Sequence, residues 1–107
     1  MITGVGVDIV DLRRIAKKKE SLAKKILTKS EYSLYLDCLT ETRKIEFLGG
    51  RFAGKEAFFK AVSNPVPFTA IEILNDPSGK PYLNYDGVHI SISHERKYAI
   101  AYVICEK

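Results

Sequence analysis

The chain has 107 residues, of which 46% are hydrophobic and 28% are charged, and its net charge is +4. That length suffices for one compact domain and excludes large enzyme frameworks such as a complete barrel or a two-lobed transferase. It does not exclude catalysis, because a small protomer can share an active site with a neighbouring copy in a symmetric oligomer. We therefore expect a single domain over residues 1–107.

Two patterns missing from the sequence indicate where the protein resides. Its longest apolar runs, such as residues 98–105, are too short to span a bilayer, and no secretory signal pattern follows Met1. Cys38 and Cys105 have no metal-ligand spacing, so we expect both to be reduced packing residues. These features predict a cytoplasmic protein that does not associate with membranes.

The first predicted element is a strand over residues 2–10. It has one face of branched apolar residues and one face with two glycines: Val5, Val7 and Ile9 alternate with Gly4, Gly6, Asp8 and Val10. Glycine weakens a strand and is tolerated mainly where a ligand or another backbone comes close. We therefore expect a close neighbour on the face that carries Asp8.

A basic block follows this strand. Residues 11–29 contain eight lysines and arginines but only two acidic residues, a net charge of +6, whereas the rest of the chain is slightly acidic. Such a block can attract nucleic acid, anionic lipid or an acidic protein, or it can be a solvated helix face. No aromatic residue occurs between Arg13 and Lys29, which disfavours nucleic acid. The block is predicted to be helical, with a break near residues 19–21.

Two further helices are predicted in the middle of the chain. Thr28 and Glu31 form a capping box that opens the shorter helix, and the longest element spans about residues 42–62. The long helix carries an apolar stripe that includes Ile45, Leu48, Phe52 and Phe59. Glu56 falls within this stripe, where a carboxylate needs a cation or a proton. Lys60, four residues later, offers a purely structural partner.

Strands are predicted for the rest of the chain. Residues 68–74 form one strand, and a turn-rich segment follows it. Residues 82–85 and 88–93 flank Asp86-Gly87, which predicts a hairpin. The last strand, residues 98–105, is apolar on both faces, so we expect one face to meet another subunit. Together the elements predict an α+β fold in which an antiparallel sheet packs against a long helix and shorter helices.

Two carboxylates and several cations indicate phosphate chemistry. Asp8 and Glu56 have no His or Cys companions, which suits a hard cation such as Mg²⁺ that is completed by water and substrate phosphates. Arg51, Lys55 and Lys60 flank Glu56, and cations of this kind suit phosphate oxygens. Spacing alone leaves open whether the two carboxylates meet.

Three sequence blocks resemble the holo-[acyl-carrier-protein] synthases, the small class of 4'-phosphopantetheinyl transferases. The blocks are residues 4–10 (GVGVDIV) with Arg13-Arg14-Ile15, residues 46–58 (EFLGGRFAGKEAF), and residues 90–94 (ISISH) followed by Tyr98-Ala99. Gly79-Lys80-Pro81 also fits, and order and spacing agree along essentially the whole chain. The resemblance implies the fold of these transferases and a homotrimer with active sites at the subunit interfaces.

The resemblance also implies residue roles. Asp8 and Glu56 are expected to hold the Mg²⁺ that also binds the pyrophosphate of coenzyme A. A set of basic and polar residues is expected near coenzyme A, with His94 approaching from an adjacent subunit: Arg43, Lys44, Arg51, Lys60, Ser93 and His94. Lys55 joins this set because of its charge and its position beside Glu56. Arg14 and Arg13 match the region that binds the acidic helix of the carrier protein.

The implied reaction transfers the phosphopantetheine arm of coenzyme A to a serine of apo acyl carrier protein, in fatty acid biosynthesis, and releases adenosine 3',5'-bisphosphate. Charge develops on the pyrophosphate, where Mg²⁺ with Arg51, Lys55 and Lys60 is expected to stabilise it. Glu56 is the candidate base, and a route through a metal-bound water is preferred because a carboxylate that holds metal is a poor base. Asp8, Glu56 and Lys60 are thus the predicted catalytic residues.

One segment departs from the family pattern. Family members usually carry a glycine-rich loop after the lysine that matches Lys60, whereas residues 61–68 are short and contain two prolines, and the segment before Val88 is also abbreviated. These changes could weaken coenzyme A binding, so a carrier-binding protein with weakened catalysis stays open as an alternative. The basic block leaves a second alternative, a small module that binds nucleic acid.

Overall fold

The computed structural model describes residues 1–107 as a small sheet crossed by one long helix. Its elements, in chain order, are β1 (Ile2–Asp11), α1 (Leu12–Lys17), α2 (Lys19–Ile26), α3 (Lys29–Asp37), α4 (Glu41–Ala61), a 3-10 turn (Phe68–Ala70), β2 (Ile73–Asn75), β3 (Pro81–Leu83), β4 (Val88–His94) and β5 (Tyr98–Glu106). The main sheet is antiparallel with the order β1-β5-β4, and β2 and β3 form a separate pair. The predicted α+β class is confirmed. None of the helices combines the length and apolar character that a bilayer-spanning segment requires.

Helix α4 packs across one face of the main sheet, against β1 and β5. Gly4 and Gly6 permit this approach, because a Cβ on either glycine would collide with the carbonyl oxygen of Ala61 or Ala57. The close neighbour expected on this face of β1 is therefore the backbone of α4. The contact brings the C-terminal half of α4 to the middle of β1, where Asp8 lies.

The local signals for the helices are confirmed in the structure. The basic block folds as two short helices, and Lys18 separates them close to the predicted break. At the start of α3, the Thr28 side chain accepts from the Glu31 backbone N–H and the Glu31 carboxylate accepts from the Thr28 N–H, which completes the capping box. Helix α4 begins after Thr40, whose hydroxyl caps the backbone N–H of Arg43.

The buried side of α4 differs from the predicted stripe. Of the stripe residues, Leu48 is fully buried, whereas Phe52 and Glu56 are only half-buried. Arg51 and Lys55, which we expected at the edges of the stripe, are 5% and 0% exposed. The reason is tertiary, because α4 contacts the sheet and also α1, α2 and α3, so it buries more than one face.

Strand pairing in the last third of the chain also differs from the prediction. Residues 68–74 divide into the 3-10 turn and the start of β2. Strand β3 pairs with β2, and β4 pairs with β5, so the predicted hairpin at Asp86-Gly87 is wrong. That turn instead connects the two sheets, with Gly87 at a φ of 73°. Ile90 on β4 is buried, and its pairing with β5 extends the layer that covers α4.

The other face of the main sheet is apolar and uncovered. On β5, Ala101 and Val103 are buried, whereas Ile100 and Tyr102 are 41% and 46% exposed. Across the strand pair, Val7 lies opposite Tyr102, and Ile9, which is 62% exposed, lies opposite Ile100. Both faces of the last strand are therefore apolar, as predicted, and no part of the chain covers the outer one.

Candidate active site

The two predicted metal ligands meet where β1 crosses α4. Asp8 and Glu56 line one cleft of about 320 Å³, although 48 residues separate them in the chain. Burial raises the pKa of Glu56, and the negative charge of Asp8 raises it further, while the charge of Lys60 opposes both effects. Asp11 lines the same cleft, so three carboxylates border it, and the charge of Asp8 is near enough to disfavour ionisation of Glu56.

Lys60 is bonded to Asp8 rather than to Glu56. Its Nζ donates to Asp8 Oδ1 at 3.1 Å and to the Val7 carbonyl oxygen at 2.9 Å, and its side chain remains 54% exposed. No hydrogen bond engages the Glu56 carboxylate. The purely structural explanation for Glu56, a direct pair with Lys60, is therefore not what the structure contains.

The same cleft extends from the carboxylates to the basic block. Arg14 and Lys18 line it together with Asp8, Glu56 and Phe52. Helix α1 starts directly after β1, so the chain itself carries the basic side chains to the edge of the carboxylate pair. We did not single out Lys18 from the sequence, and only its place in the basic block marked it.

Arg13 faces away from this cleft and serves the helix start. Its Nε and Nη2 donate to the Asp11 carboxylate at 2.9 and 2.7 Å, and the Asp11 side chain also caps the backbone N–H of Arg13. These bonds lower the pKa of Asp11 to about 2. The two neighbouring arginines thus have different surroundings: Arg13 is paired with Asp11 at the edge of the cleft, and only Arg14 lines the cleft itself.

A second cleft, of about 200 Å³, gathers three of the predicted coenzyme A ligands. Arg43, Arg51 and His94 line it. Arg51 is held rigidly, since its Nε donates to the Ile73 carbonyl at 3.2 Å and its Nη2 to Asn75 Oδ1 at 2.7 Å. Burial lowers the pKa of Arg51 to about 10. No residue lines both this cleft and the carboxylate cleft, so the two clefts are separate within one chain.

Lys55 lies in neither cleft. Its side chain is fully buried, and its Nζ donates to Glu31 Oε1 and to the Ile26 carbonyl, both at 2.6 Å, and to the Phe68 carbonyl at 3.1 Å. Burial lowers its pKa, and Glu31 opposes that shift. The expectation that Lys55 contacts coenzyme A phosphates is wrong, because all three of its ammonium hydrogens are used inside the protein.

Two other expected ligands are not brought to these clefts within one chain. The Lys44 ammonium lies 5.6 Å from the centre of the Tyr35 ring, on the side of α3. Ser93 is exposed on β4 opposite Ile100, so it belongs to the uncovered sheet face. Within the chain, neither residue lines the second cleft with His94.

The carboxylate pair fits a hard divalent cation. Its donors are all oxygens, and a bound cation would offset the burial and the Asp8 charge that raise the pKa of Glu56. The chain has no group of three or more His, Cys, Asp or Glu side chains that could hold a metal. A cation at Asp8 and Glu56 would therefore take its remaining ligands from water or from substrate oxygens.

Comparison with known proteins identifies the family. A profile of the 4'-phosphopantetheinyl transferase superfamily matches residues 4–103. The chain belongs to this superfamily. A holo-[acyl-carrier-protein] synthase of Staphylococcus aureus (strain JH9) is 46% identical over 116 aligned positions, which cover all of this chain and 98% of the relative. Because the alignment is longer than this chain, that relative has residues without a counterpart here.

Solved structures of the superfamily share the fold. The crystal structure of a holo-(acyl-carrier-protein) synthase from Bacillus anthracis str. Ames in complex with CoA (3',5'-ADP) has a TM-score of 0.93 at 41% identity, covering 100% of this chain and 98% of that one. The holo-[acyl-carrier-protein] synthase of Neisseria meningitidis has a TM-score of 0.88 at 34% identity, with full coverage of both chains. The resemblance drawn from the three sequence blocks is confirmed.

Proposed function

We propose that this transferase moves the 4'-phosphopantetheine group of coenzyme A to a serine of apo acyl carrier protein and releases adenosine 3',5'-bisphosphate, with Mg²⁺ as cofactor. One observation carries the proposal: Asp8 and Glu56 share a cleft with the basic side chains Arg14 and Lys18. The carboxylates suit a cation that binds a pyrophosphate, and the basic side chains suit an acidic carrier.

The residues of the carboxylate cleft have separable tasks in this reaction. Asp8 and Glu56 would hold Mg²⁺, which when bound neutralises charge that develops on the pyrophosphate. Lys60 fixes Asp8 through its hydrogen bond and keeps an exposed ammonium beside the cleft for a phosphate oxygen. Glu56 is the candidate acceptor of the serine proton, and a route through water is preferred because a carboxylate that holds a metal is a poor base.

Arg14 and Lys18 would position the carrier. They lie at the edge of the cleft that contains the carboxylates, so an acidic helix bound there brings its serine near Glu56. The remaining charge of residues 11–29 attracts the carrier from a distance and speeds its association. Arg13 contributes to that field, although its guanidinium is occupied by Asp11.

Coenzyme A would bind between two protomers of a homotrimer. Two observations support this arrangement: the separation of the Arg43, Arg51 and His94 cleft from the carboxylate cleft within one chain, and the uncovered apolar face around Ile9 and Tyr102. If the outer sheet faces of neighbouring copies pack together, the second cleft of one copy can complete the first cleft of the next. We place the enzyme in the cytoplasm and in fatty acid biosynthesis.

Mass spectrometry of an apo acyl carrier protein tests the proposal. Incubation with the enzyme, coenzyme A and Mg²⁺ should add the mass of phosphopantetheine, and chelation of Mg²⁺ should stop the gain. Absence of any gain, with a carrier that a known synthase modifies, would contradict the transferase function. A carrier pulled down without modification would instead support the weakened, carrier-binding alternative that the shortened segment at residues 61–68 raises.

Light scattering tests the shared site. A particle of three chains, with an activity that falls when dilution dissociates it, is the expected result. An active monomer would overturn the arrangement across two protomers without affecting the transfer reaction itself. Binding of RNA that is sequence-independent and falls steeply with salt would favour the nucleic-acid alternative.

A further inference from the structure

One acidic side chain lies in the second, otherwise cationic cleft. Glu46 lines it together with Arg43, Arg51 and His94, and it is the only carboxylate in the lining. A carboxylate at this place repels any anion that Arg43 and Arg51 attract. Charge complementarity with an anionic ligand therefore does not explain why Glu46 lies in this cleft.

Glu46 lies between the side chains of Arg43 and His94. Its Oε1 is 3.5 Å from Nη1 of Arg43, one turn earlier on α4, and its Oε2 is 3.4 Å from Nδ1 of His94 at the end of β4. The Glu46 side chain is 21% exposed, whereas those of Arg43 and His94 are 53% and 38% exposed. The more buried Glu46 carboxylate thus lies between the Arg43 guanidinium and the His94 imidazole, which come from different elements.

Arg51 is restrained in another way. Arg51 bonds to the Ile73 carbonyl and the Asn75 amide and lies over the ring of Phe47 at 4.1 Å, so it needs no carboxylate. Arg43 and His94 have no ion-pair partner other than Glu46. Arg43, Arg51 and His94 therefore each have a polar neighbour, and Glu46 is the neighbour of Arg43 and of His94.

We propose that Glu46 is a positioning residue for coenzyme A binding, which fixes the Arg43 guanidinium and the His94 imidazole before the ligand arrives. This inference rests on the proposed function. A ligand that meets side chains already in place does not have to immobilise them. In this proposal, the saved ordering cost exceeds the repulsion from the Glu46 carboxylate. Glu46 itself makes no contact with the reacting atoms in this proposal.

The proposal predicts an effect with the opposite sign to that of a bystander charge. If Glu46 were only a nearby negative charge, Glu46→Gln would remove repulsion and tighten anion binding. If it positions Arg43 and His94, the same variant should weaken binding although the cleft becomes more positive. Glu95→Gln is the matched control, because it removes the same charge next to His94 from a side chain that has no partner.

Calorimetric titration with adenosine 3',5'-bisphosphate at constant salt provides the test. Glu46→Gln should weaken binding about fivefold and raise KM for coenzyme A to a similar degree, with kcat within about twofold of the wild type. Glu95→Gln should not weaken it. In an Arg43→Gln, His94→Gln background, Glu46→Gln should cause no further weakening, because nothing is left to position.

Each outcome decides a different question. Unchanged or tighter binding by Glu46→Gln, in a wild-type enzyme that transfers phosphopantetheine, overturns the positioning role alone. A wild-type protein that neither binds the nucleotide nor modifies a carrier contradicts the proposed function instead. If Glu46→Gln lowers the thermal midpoint, Glu46→Asp decides the question, because it keeps the charge but shortens the bridge: weaker binding supports the role and unchanged binding refutes it.

Discussion

Two adjacent residues of α4 carry two clusters of carboxylates and lysines with opposite properties. Lys55 forms a buried cluster with Glu31, in which Glu31 Oε1 also accepts from the Thr28 N–H and its Oε2 accepts from the Ile73 N–H. Both side chains are 0% exposed, and each of their polar atoms has a hydrogen-bond partner within the chain. Glu56, by contrast, lies in an open cleft with no hydrogen bond and a raised pKa. In the open cluster, Lys60 bonds to Asp8 and not to Glu56. In the closed cluster, every polar side-chain atom has a partner.

The difference distinguishes an ion pair that the fold encloses from one that is open to solvent. The Lys55 ammonium also bonds to the carbonyls of Ile26 and Phe68, so it ties α2, α3 and the 3-10 turn to α4. The Asp8 cluster joins only β1 and α4 and leaves the Glu56 carboxylate without a hydrogen bond. Residue type alone does not distinguish the two clusters, and the distinguishing property is whether every charge is satisfied within the chain.

Loss of the open cluster should have the largest effect. Glu56→Gln keeps the shape of the side chain but removes the charge that a metal needs, so we expect transfer to fall by at least about 1000-fold. Its unfolding free energy should not fall, because like-charge repulsion with Asp8 disappears. Carrier modification followed by mass spectrometry, together with urea unfolding, measures both quantities. Full activity of Glu56→Gln would refute the assigned metal pair.

Loss of the closed cluster should have the converse effect. Lys55→Met leaves the Glu31 carboxylate buried without its partner, and we expect the unfolding free energy to fall by about 3–5 kcal/mol. Lys60→Met is the matched control, because its exposed pair with Asp8 should contribute no more than about 1 kcal/mol. Transfer by Lys60→Met should nevertheless fall about 100-fold. Urea unfolding of both variants checks this, and equal stabilities would show that the two clusters do not differ as described.

Arg14 and Arg13 should also differ, in their effect on KM for the carrier. We expect this effect to be smaller than those of the Glu56 and Lys55 variants. Arg14→Ala removes a side chain that borders the open cleft, so we expect KM for the carrier to rise about tenfold, less so at high salt. Arg13→Ala removes a side chain that is paired with Asp11 and should raise KM less. Steady-state kinetics with a titrated carrier distinguishes them. A larger effect of Arg13→Ala would show that the carrier does not bind along the carboxylate cleft.

The pH dependence of stability should show the smallest effect. A raised pKa means that folded Glu56 binds a proton more tightly than unfolded Glu56 does. Stability without a divalent cation should therefore decrease as pH rises from the ordinary glutamate range through the raised pKa. Glu56→Gln lacks this contribution, so the difference between the two stability curves isolates it from groups such as Asp11. Parallel curves across the acidic range would contradict the raised pKa.

Several features of the fold could be predicted because they depend on neighbours in the sequence. The capping box of Thr28 and Glu31, the extent of α4 and the two apolar faces of β5 follow from side-chain spacing within one element. The glycines of β1 also predicted a close neighbour correctly, since only a backbone approach explains them. The wrong hairpin at Asp86-Gly87 followed from a local turn signal that the pairing of β4 with β5 overrode.

The sequence by itself determined the family, the α+β class and the candidate residues, because three blocks of side chains keep their order and spacing. Only the tertiary structure decided which of the candidates share a site. It brought Asp8 to Glu56 through the contact of β1 with α4, and it buried Lys55 against Glu31, one helical position away. The physical reason is that a helix packed on several sides gives adjacent residues different solvent access, and periodicity along one element does not reveal what covers each side.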